Sequence, residues 1–162
     1  MCVCIRKTYK NLSTKNFHLS QKMIQYTWGD TMKEITKEMI EEFNLRNLGY
    51  DFMGYTFNST RELSFHHLII PRRKCNNMKS KGYTRDNGAI LKQATSHNYL
   101  HLIEIYDRDR FLEITKHLID ENLLGRLDID SLRKIRDVLE SFEREYKGDK
   151  IIKKEFTNRI KL

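Results

Sequence analysis

The sequence contains two histidine-bearing segments that decide its fold, HHLIIP at residues 66–71 and SHNYLH at residues 96–101. The first closes a run at 62–70 that is rich in apolar and β-branched residues and stops at Pro71, which predicts a strand. The second opens a stretch with apolar residues at helical spacing, which predicts a helix. A strand and a helix that both carry histidine pairs therefore form the centre of the expected fold.

The residues between these segments complete a strand, loop, strand, helix order. Residues 72–86 are polar and basic with almost no apolar side chains, which predicts a long loop, and loops of this length in a small domain are usually functional. Asn87 and Gly88 mark a turn, and 89–91 is a second short strand. Thr95 or Ser96 is placed to cap the helix that follows.

Helical spacing extends on both sides of this unit. Residues 31–46 form a predicted helix that begins with a capping box of Thr31 and Glu34. Later helices are expected up to Gly125 and again after Asp130, whose side chain would cap a helix with one apolar face.

An aromatic stretch at 50–57 is expected to pack around the strands, and its pairing partner is left open. The tail, 147–162, is expected to be a short helix or a frayed end. The fold class is α+β: a helix-rich single domain, 1–162, with a strand–strand–helix core at 62–104 and C-terminal helices at 105–147.

The composition favours a polyanionic partner and an intracellular setting. Lys and Arg number 30 against 22 Asp and Glu, a formal net charge of +8. Three cysteines without a CxxC pair argue against both a disulfide framework and a cysteine zinc site, which suits a reducing compartment. No apolar run reaches membrane-spanning length and the N-terminus lacks a signal-peptide core, so we expect a cytoplasmic protein.

Four of the six histidines fall where they can form one site. His97 and His101 are four residues apart on the predicted helix, so both imidazoles lie on one face and can bind one metal ion. His66 and His67 are adjacent on a strand and point to opposite sides. Only one of that pair can join the metal ligands, and the other is available for a different task nearby.

The order HHLIIP, then Asn87-Gly88, then SHNYLH resembles the HNH (ββα-metal) endonucleases in their all-histidine form, as in colicin DNase domains and phage or mobile-element nucleases. The resemblance covers 62–104, and the flanking helices match no family that we can name. It implies two antiparallel strands, a loop and a helix around one divalent ion. His66, His97 and His101 would be the metal ligands. His67 would be the general base, and Asn87 would hold the long loop and orient His67 through hydrogen bonds.

The sequence departs from the family in lacking the cysteine pair that braces many members. Asn76 or Asn77 is an alternative to Asn87 as the motif asparagine, and Asp86 is a further possible ligand. Three imidazoles favour zinc, nickel or manganese over magnesium, which prefers oxygen ligands, although the resemblance leaves all four open. A histidine, with a usual pKa near 6.5, is a suitable base at neutral pH.

The basic residues of the long loop lie beside the expected site and are candidates for phosphate contact. They are Arg72, Arg73, Lys74, Lys79, Lys81 and Arg85. We therefore expect an endonuclease (a hydrolase) that cleaves DNA. RNA cleavage is the first alternative. The second is a non-catalytic binding or inhibitor module that keeps a structural metal, with the helix at 130–144 as a docking or dimer face. The oligomeric state is left open.

Several nearby side chains are assigned to ordinary structural roles. Tyr83 and Tyr99 are expected to pack in the core or at its rim rather than stack on bases. Glu104, Asp107 and Asp109 are expected to be surface acids, with orientation of a metal-binding histidine as the alternative. His18 and His117 are expected to be structural histidines.

Overall fold

A two-stranded antiparallel sheet lies at the centre of the computed structural model, which describes residues 34–74, 82–149 and 159–162, all within the unit Met32–Leu162. Strand β1 is Leu63–His67 and strand β2 is Gly88–Lys92. The register pairs His66 with Ala89 and His67 with Gly88. All five residues of β2 are buried, whereas three of the five in β1 are only partly buried, so β2 is the more enclosed strand.

Five α-helices occur in the described residues. They are α1 (Glu34–Glu42), α2 (Leu45–Leu48), α3 (Asn98–Tyr106), α4 (Arg108–Leu124) and α5 (Ile129–Glu145). Helix α4 packs against both α3 and α5, and it also contacts β2. This mixture of helices with a small antiparallel sheet confirms the α+β class.

The core lies where α1, α3, α4 and α5 meet the sheet. Its fully buried large side chains include Met39, Phe52, Tyr55, Ile90, Leu91, Tyr99, Ile103, Ile114 and Phe142. The stretch 50–57 thus supplies core aromatics as predicted. It does not pair with β1, because its backbone closes on itself through a bridge between Tyr50 and Thr56.

The first helix is shorter than the periodicity predicts. Helix α1 ends at Glu42, and Asn44 adopts a left-handed conformation with φ of 54°, which an asparagine tolerates better than most side chains. The chain then turns into the short α2. The predicted capping residue Thr31 lies outside the described residues.

The final helix begins two residues earlier than predicted. Asp128, not Asp130, is the N-cap, and its side chain accepts a hydrogen bond from the Ser131 backbone amide at 3.1 Å. Asp130 is instead an exposed residue of the first turn that pairs with Arg133. The predicted apolar face is confirmed, since Leu132, Ile135, Val138, Leu139 and Phe142 are all buried.

Strand β1 stops at His67 although the apolar run continues to Ile70. The backbone amides of Ile69 and Ile70 donate to the Asn87 side chain, at 2.8 and 2.7 Å, instead of to a neighbouring strand. The sheet therefore ends where the asparagine takes over as acceptor. Among the described helices, none combines the length and apolarity that crossing a bilayer requires.

Candidate metal centre

Three imidazoles from β1 and the start of α3 converge on one point. The ring centroids of His66, His97 and His101 form a nearly equilateral triangle with sides of 4.9, 5.0 and 5.1 Å. One nitrogen from each ring lies within 4.8 Å of the other two. The structure thus brings together the three histidines that the sequence analysis named as ligands, and this set can hold a metal ion.

The local backbone explains this convergence. His66 lies on the face of β1 that looks toward α3, together with Ser64 two residues earlier. His97 closes a π-helical turn, Gln93–His97, and His101 follows one turn later on α3. A π-turn widens the helix by one residue per hydrogen-bonded ring and is frequent at functional sites.

The environment of His66 fits a metal ligand. The residue is 3% exposed, and within the described residues neither Nδ1 nor Nε2 has a hydrogen-bond partner. Burial lowers the pKa of His66 well below its usual value, and the nearby His97 and His101 add to the effect. A neutral imidazole with an unused nitrogen lone pair in a buried position is the form that binds a divalent cation.

Ser64 contacts both His97 and the neighbouring strand. Its hydroxyl oxygen lies 2.6 Å from His97 Nδ1 and 3.2 Å from the Leu91 carbonyl oxygen. When the single hydroxyl proton is donated to Leu91, the Ser64 oxygen accepts from Nδ1–H of His97. In that tautomer the lone pair of His97 Nε2 can bind a metal ion.

Burial, followed by repulsion from His101 and His67, lowers the pKa of His97 to about 3, with a smaller contribution from the charge of Arg72. His97 is therefore neutral at physiological pH. A hydrogen bond from His97 Nδ1–H to Ser64 and this low pKa act together, because both favour the neutral ring that can ligate a metal through Nε2.

His101 is the open side of the triangle. Its side chain is 51% exposed, and its Nδ1 lies 3.4 Å from the Glu104 carboxylate, which in turn accepts a hydrogen bond from Arg108 at 2.6 Å. Glu104 is therefore placed to orient His101, the role that the sequence analysis kept as the alternative for this residue. Solvent can reach the cluster from this side.

A buried carboxylate anchors the turn that delivers His97. Asp51 accepts the Lys92 backbone amide at 2.8 Å and the Ser96 hydroxyl, and its other oxygen accepts two amides from its own loop at 2.9 Å each. Neither Thr95 nor Ser96 caps α3, contrary to the prediction, because Ser96 is buried and directed at Asp51. Asp51 thus ties the end of β2 to the residue that precedes His97.

His67 points to the other side of β1 and is enclosed by two aromatic rings. Phe65 lies edge-on at 5.0 Å between centroids, and Tyr83 lies edge-on at 4.5 Å. Gly88, the strand partner of His67, leaves room for Phe65, since a Cβ there would come within 2.2 Å of its ring. The histidine that does not join the metal cluster therefore packs against two aromatic rings, and its charge contributes to the lowered pKa values of His66 and His97.

Asn87 holds both ends of the long loop. Its Oδ1 accepts the amides of Ile69 and Ile70, and its Nδ2 donates to the carbonyl oxygens of Ile70 and Gly82 at 3.0 and 2.8 Å. These four bonds use the full capacity of the amide. The Asn87 amide therefore has no capacity left for the His67 ring, and it holds instead the backbone on both sides of the loop, including Gly82, the neighbour of Tyr83.

The basic residues predicted to contact phosphate differ in their surroundings. Arg72, Arg73 and Lys74 form a short 3-10 turn and are not engaged by any carboxylate of the described residues. Arg85 is engaged: its guanidinium donates to Glu42 at 2.8 and 3.0 Å and to Asn122 at 2.7 Å. Lys79 and Lys81 lie outside the described residues, as do Asn76 and Asn77.

Asp86 and the two tyrosines near the expected site have structural surroundings. Asp86 is exposed and lies 3.5 Å from Arg85, and the described part of the chain shows no metal-binding group that includes it. Tyr99 is buried in the core and donates to Glu143 at 3.2 Å, whereas Tyr83 is only partly buried and packs against His67.

Comparison of the chain with family models, curated proteins and solved structures gave no match.

Sequence reasoning missed Ser64, Asp51 and the pairing of Tyr83 with His67. A signal for Ser64 was present, because strand alternation places it on the same side as His66. Asp51 had no local signal, since its partners Lys92 and Ser96 lie 41 and 45 residues away.

Proposed function

We propose that this chain is a metal-dependent endonuclease of the HNH type that hydrolyses phosphodiester bonds in DNA. The observation that supports it most is the division of labour on β1. His66 contributes to a three-histidine cluster, and His67, the next residue, packs against Phe65 and Tyr83 while its charge still acts on His66 and His97. A purely structural metal site has no use for a second histidine beside its ligand.

The metal would be held by His66, by Nε2 of His97, and by His101. A divalent cation held by these residues would supply positive charge to the scissile phosphate and to the leaving oxygen. Three nitrogen ligands favour zinc, nickel or manganese over magnesium. The partial exposure of His101 leaves the cluster accessible from solvent.

His67 would act as the general base. Its imidazole accepts a proton from a water molecule as the water oxygen forms a bond to phosphorus and the bond from phosphorus to the 3′ oxygen breaks. The products are a 5′ phosphate and a 3′ hydroxyl, whose proton comes from solvent. Phe65 and Tyr83 limit the motion of the ring, and Asn87 fixes the loop that carries Tyr83.

Arg72, Arg73 and Lys74 would bind phosphates on either side of the scissile bond. Arg72 contributes to the electrostatic lowering of the His97 pKa, so its positive charge acts on the metal site itself. Cations close to the site that no described carboxylate neutralises are suited to bind a polyanion. Arg85, which is held by Glu42 and Asn122, would serve the fold more than the substrate.

The test is cleavage of supercoiled plasmid by the purified chain with EDTA, magnesium, manganese, nickel or zinc. His67→Ala should retain metal binding and lose about 10²–10⁴-fold in rate, the usual contribution of a general base. His66→Ala should lose both. His117→Ala, which removes a histidine of α4 outside the cluster, is the matched control and should cleave normally.

Absence of metal-dependent cleavage of DNA and of structured RNA would exclude an endonuclease. Retention of metal binding in that case would identify the cluster as a structural site in a binding protein. Cleavage of RNA alone would keep the chemistry and change the substrate.

A further inference from the structure

Two aliphatic side chains are exposed directly after the strand that carries His66 and His67. Ile69 is 63% exposed and Ile70 is 37% exposed. Both belong to the segment that leads from β1 into the cationic turn Arg72–Lys74. An exposed isoleucine pair that begins two residues after His67 is a feature that the proposed hydrolysis does not require.

The backbone beneath this pair is fixed. Three hydrogen bonds to the Asn87 side chain hold Ile69 and Ile70, at 2.8, 2.7 and 3.0 Å, and Pro71 follows with a restricted φ. Isoleucine is itself stiff because its branched Cβ favours one χ1 rotamer. Little conformational entropy is therefore lost when these side chains are inserted into a partner.

The chemistry next to the pair indicates which partner it fits. Arg72, Arg73 and Lys74 place three positive charges within five residues of Ile69, and the described residues supply no carboxylate to neutralise them. An apolar tip flanked by cations that no described carboxylate neutralises is complementary to stacked bases flanked by phosphates. Proteins that bind the minor groove insert Ile, Leu, Phe or Met between base steps while cations hold the backbone.

We propose that Ile69, supported by Ile70, is a wedge that enters the minor groove of duplex DNA and unstacks one base step next to the scissile phosphate. The inference rests on the proposed function and adds to it the form of the substrate. An aliphatic wedge separates stacked base pairs, whereas proteins that hold single strands use flat aromatic rings as stacking platforms. Double-stranded RNA presents a wide, shallow minor groove that gives a wedge less to grip.

The experiment uses a set of short DNA duplexes in which 2-aminopurine, a base whose fluorescence rises on unstacking, is moved one position at a time. The full chain is added in EDTA, so that cleavage cannot contribute, and binding is followed separately by the anisotropy of an end label. The proteins are wild type, Ile69→Ser, and Ile129→Ser. Ile129 is the matched control because it is an isoleucine of 53% exposure on α5.

Wild type and Ile129→Ser should raise the fluorescence about threefold or more at one or two neighbouring positions, as expected for local unstacking. Ile69→Ser should lose this rise while its affinity changes by less than about tenfold, because the phosphate contacts remain. Ile69 is exposed, so the variant should fold as wild type does.

Binding without a fluorescence rise at any position would overturn the wedge, and so would an equal rise with Ile69→Ser. A stronger response from single-stranded DNA or from double-stranded RNA would overturn duplex DNA as the partner. These results are separate from the plasmid assay, since metal-dependent cleavage tests the nuclease and unstacking in EDTA tests only the wedge.

Discussion

Replacement of Gly88 by alanine should inactivate the site without removing its metal ligands. The added Cβ would lie 2.2 Å from Cε2 and 2.4 Å from Cζ of Phe65, whereas carbon atoms in contact prefer about 3.5–4.0 Å. The Phe65 ring must therefore withdraw by more than about 1 Å. His67 packs edge-on against that ring and is paired with Gly88 across the sheet, so its position must change as well.

The size of the effect follows from this displacement. A misplacement of about 1 Å at a catalytic group can cost about a hundredfold in rate, and we expect a loss of that order in plasmid cleavage. Forcing a methyl group into a packed position also costs about 1–3 kcal/mol in the free energy of unfolding. His66, His97 and His101 lie on the other side of β1, so the metal dissociation constant should change little.

The assay compares cleavage rate, metal affinity and urea denaturation for Gly88→Ala and Gly148→Ala. Gly148 is the matched control, because a Cβ there meets no atom within 4 Å. The double variant Gly88→Ala/Phe65→Leu should recover part of both losses, since the smaller side chain yields the space. If Gly88→Ala cleaves and unfolds as wild type does, the packing of Phe65 over Gly88 does not position His67.

Three further outcomes follow from the site and the core. Ser64→Ala should weaken metal binding about 10–100-fold, measured in competition with a chromophoric chelator, and Ser64→Thr should not. Equal metal affinities of wild type and Ser64→Ala would show that the hydrogen bond between Ser64 and His97 does not favour the metal-binding tautomer. In EDTA the free energy of unfolding should fall as the pH drops from about 6.5 toward 3, because His97 binds a proton in the unfolded chain but, with a pKa of about 3, stays neutral in the folded chain. The variant His97→Gln should show a smaller dependence of this free energy on pH. An unchanged dependence would contradict the assignment. Glu121 is fully buried and has no hydrogen-bond partner in the described residues, and burial, with help from Asp51, raises its pKa well above the usual value. Above about pH 4.5 the unfolded chain releases the Glu121 proton, whereas the folded chain still holds it. The free energy of unfolding of wild type, measured by urea denaturation, should therefore fall by about 1.4 kcal/mol per pH unit relative to Glu121→Gln until the folded pKa is reached. A difference between the two proteins that stays constant with pH would refute the assignment.

The sequence predicted the features that depend on neighbouring residues. Helical spacing identified the apolar face of α5, and alternation along β1 separated His66 from His67. The four-residue interval between His97 and His101 predicted their common face, even though a π-turn ends at His97. These signals are local, because a helix or strand repeats over a few residues whatever the rest of the chain does.

The features that the sequence could not supply depend on partners far along the chain. Arg85 was predicted to contact phosphate because it lies in a basic loop. In the structure it donates to Glu42, which is 43 residues away in the sequence. Asn87 looked like a support for the His67 ring, but its partners are backbone groups that carry no sequence signal. The end of β1 was also unpredictable, because it depends on that side chain replacing a strand as acceptor.

The position of Asp51 has a consequence for anyone who would excise or graft this centre. A peptide of residues 62–104 would keep every histidine of the cluster and lose the carboxylate that receives Lys92 N–H and the Ser96 hydroxyl. The Lys92 amide would keep only Ser96 Oγ at 3.0 Å, and the Ser96 hydroxyl only the Lys92 carbonyl oxygen at 3.3 Å. The lost hydrogen bonds to Asp51 contribute about 0.5–1.5 kcal/mol each, or more if the acceptor is charged, which is a large share of what so short a peptide could gain by folding. The strand–strand–helix unit is therefore not expected to fold by itself. A scaffold into which it is grafted must supply a buried hydrogen-bond acceptor for the turn Gln93–His97.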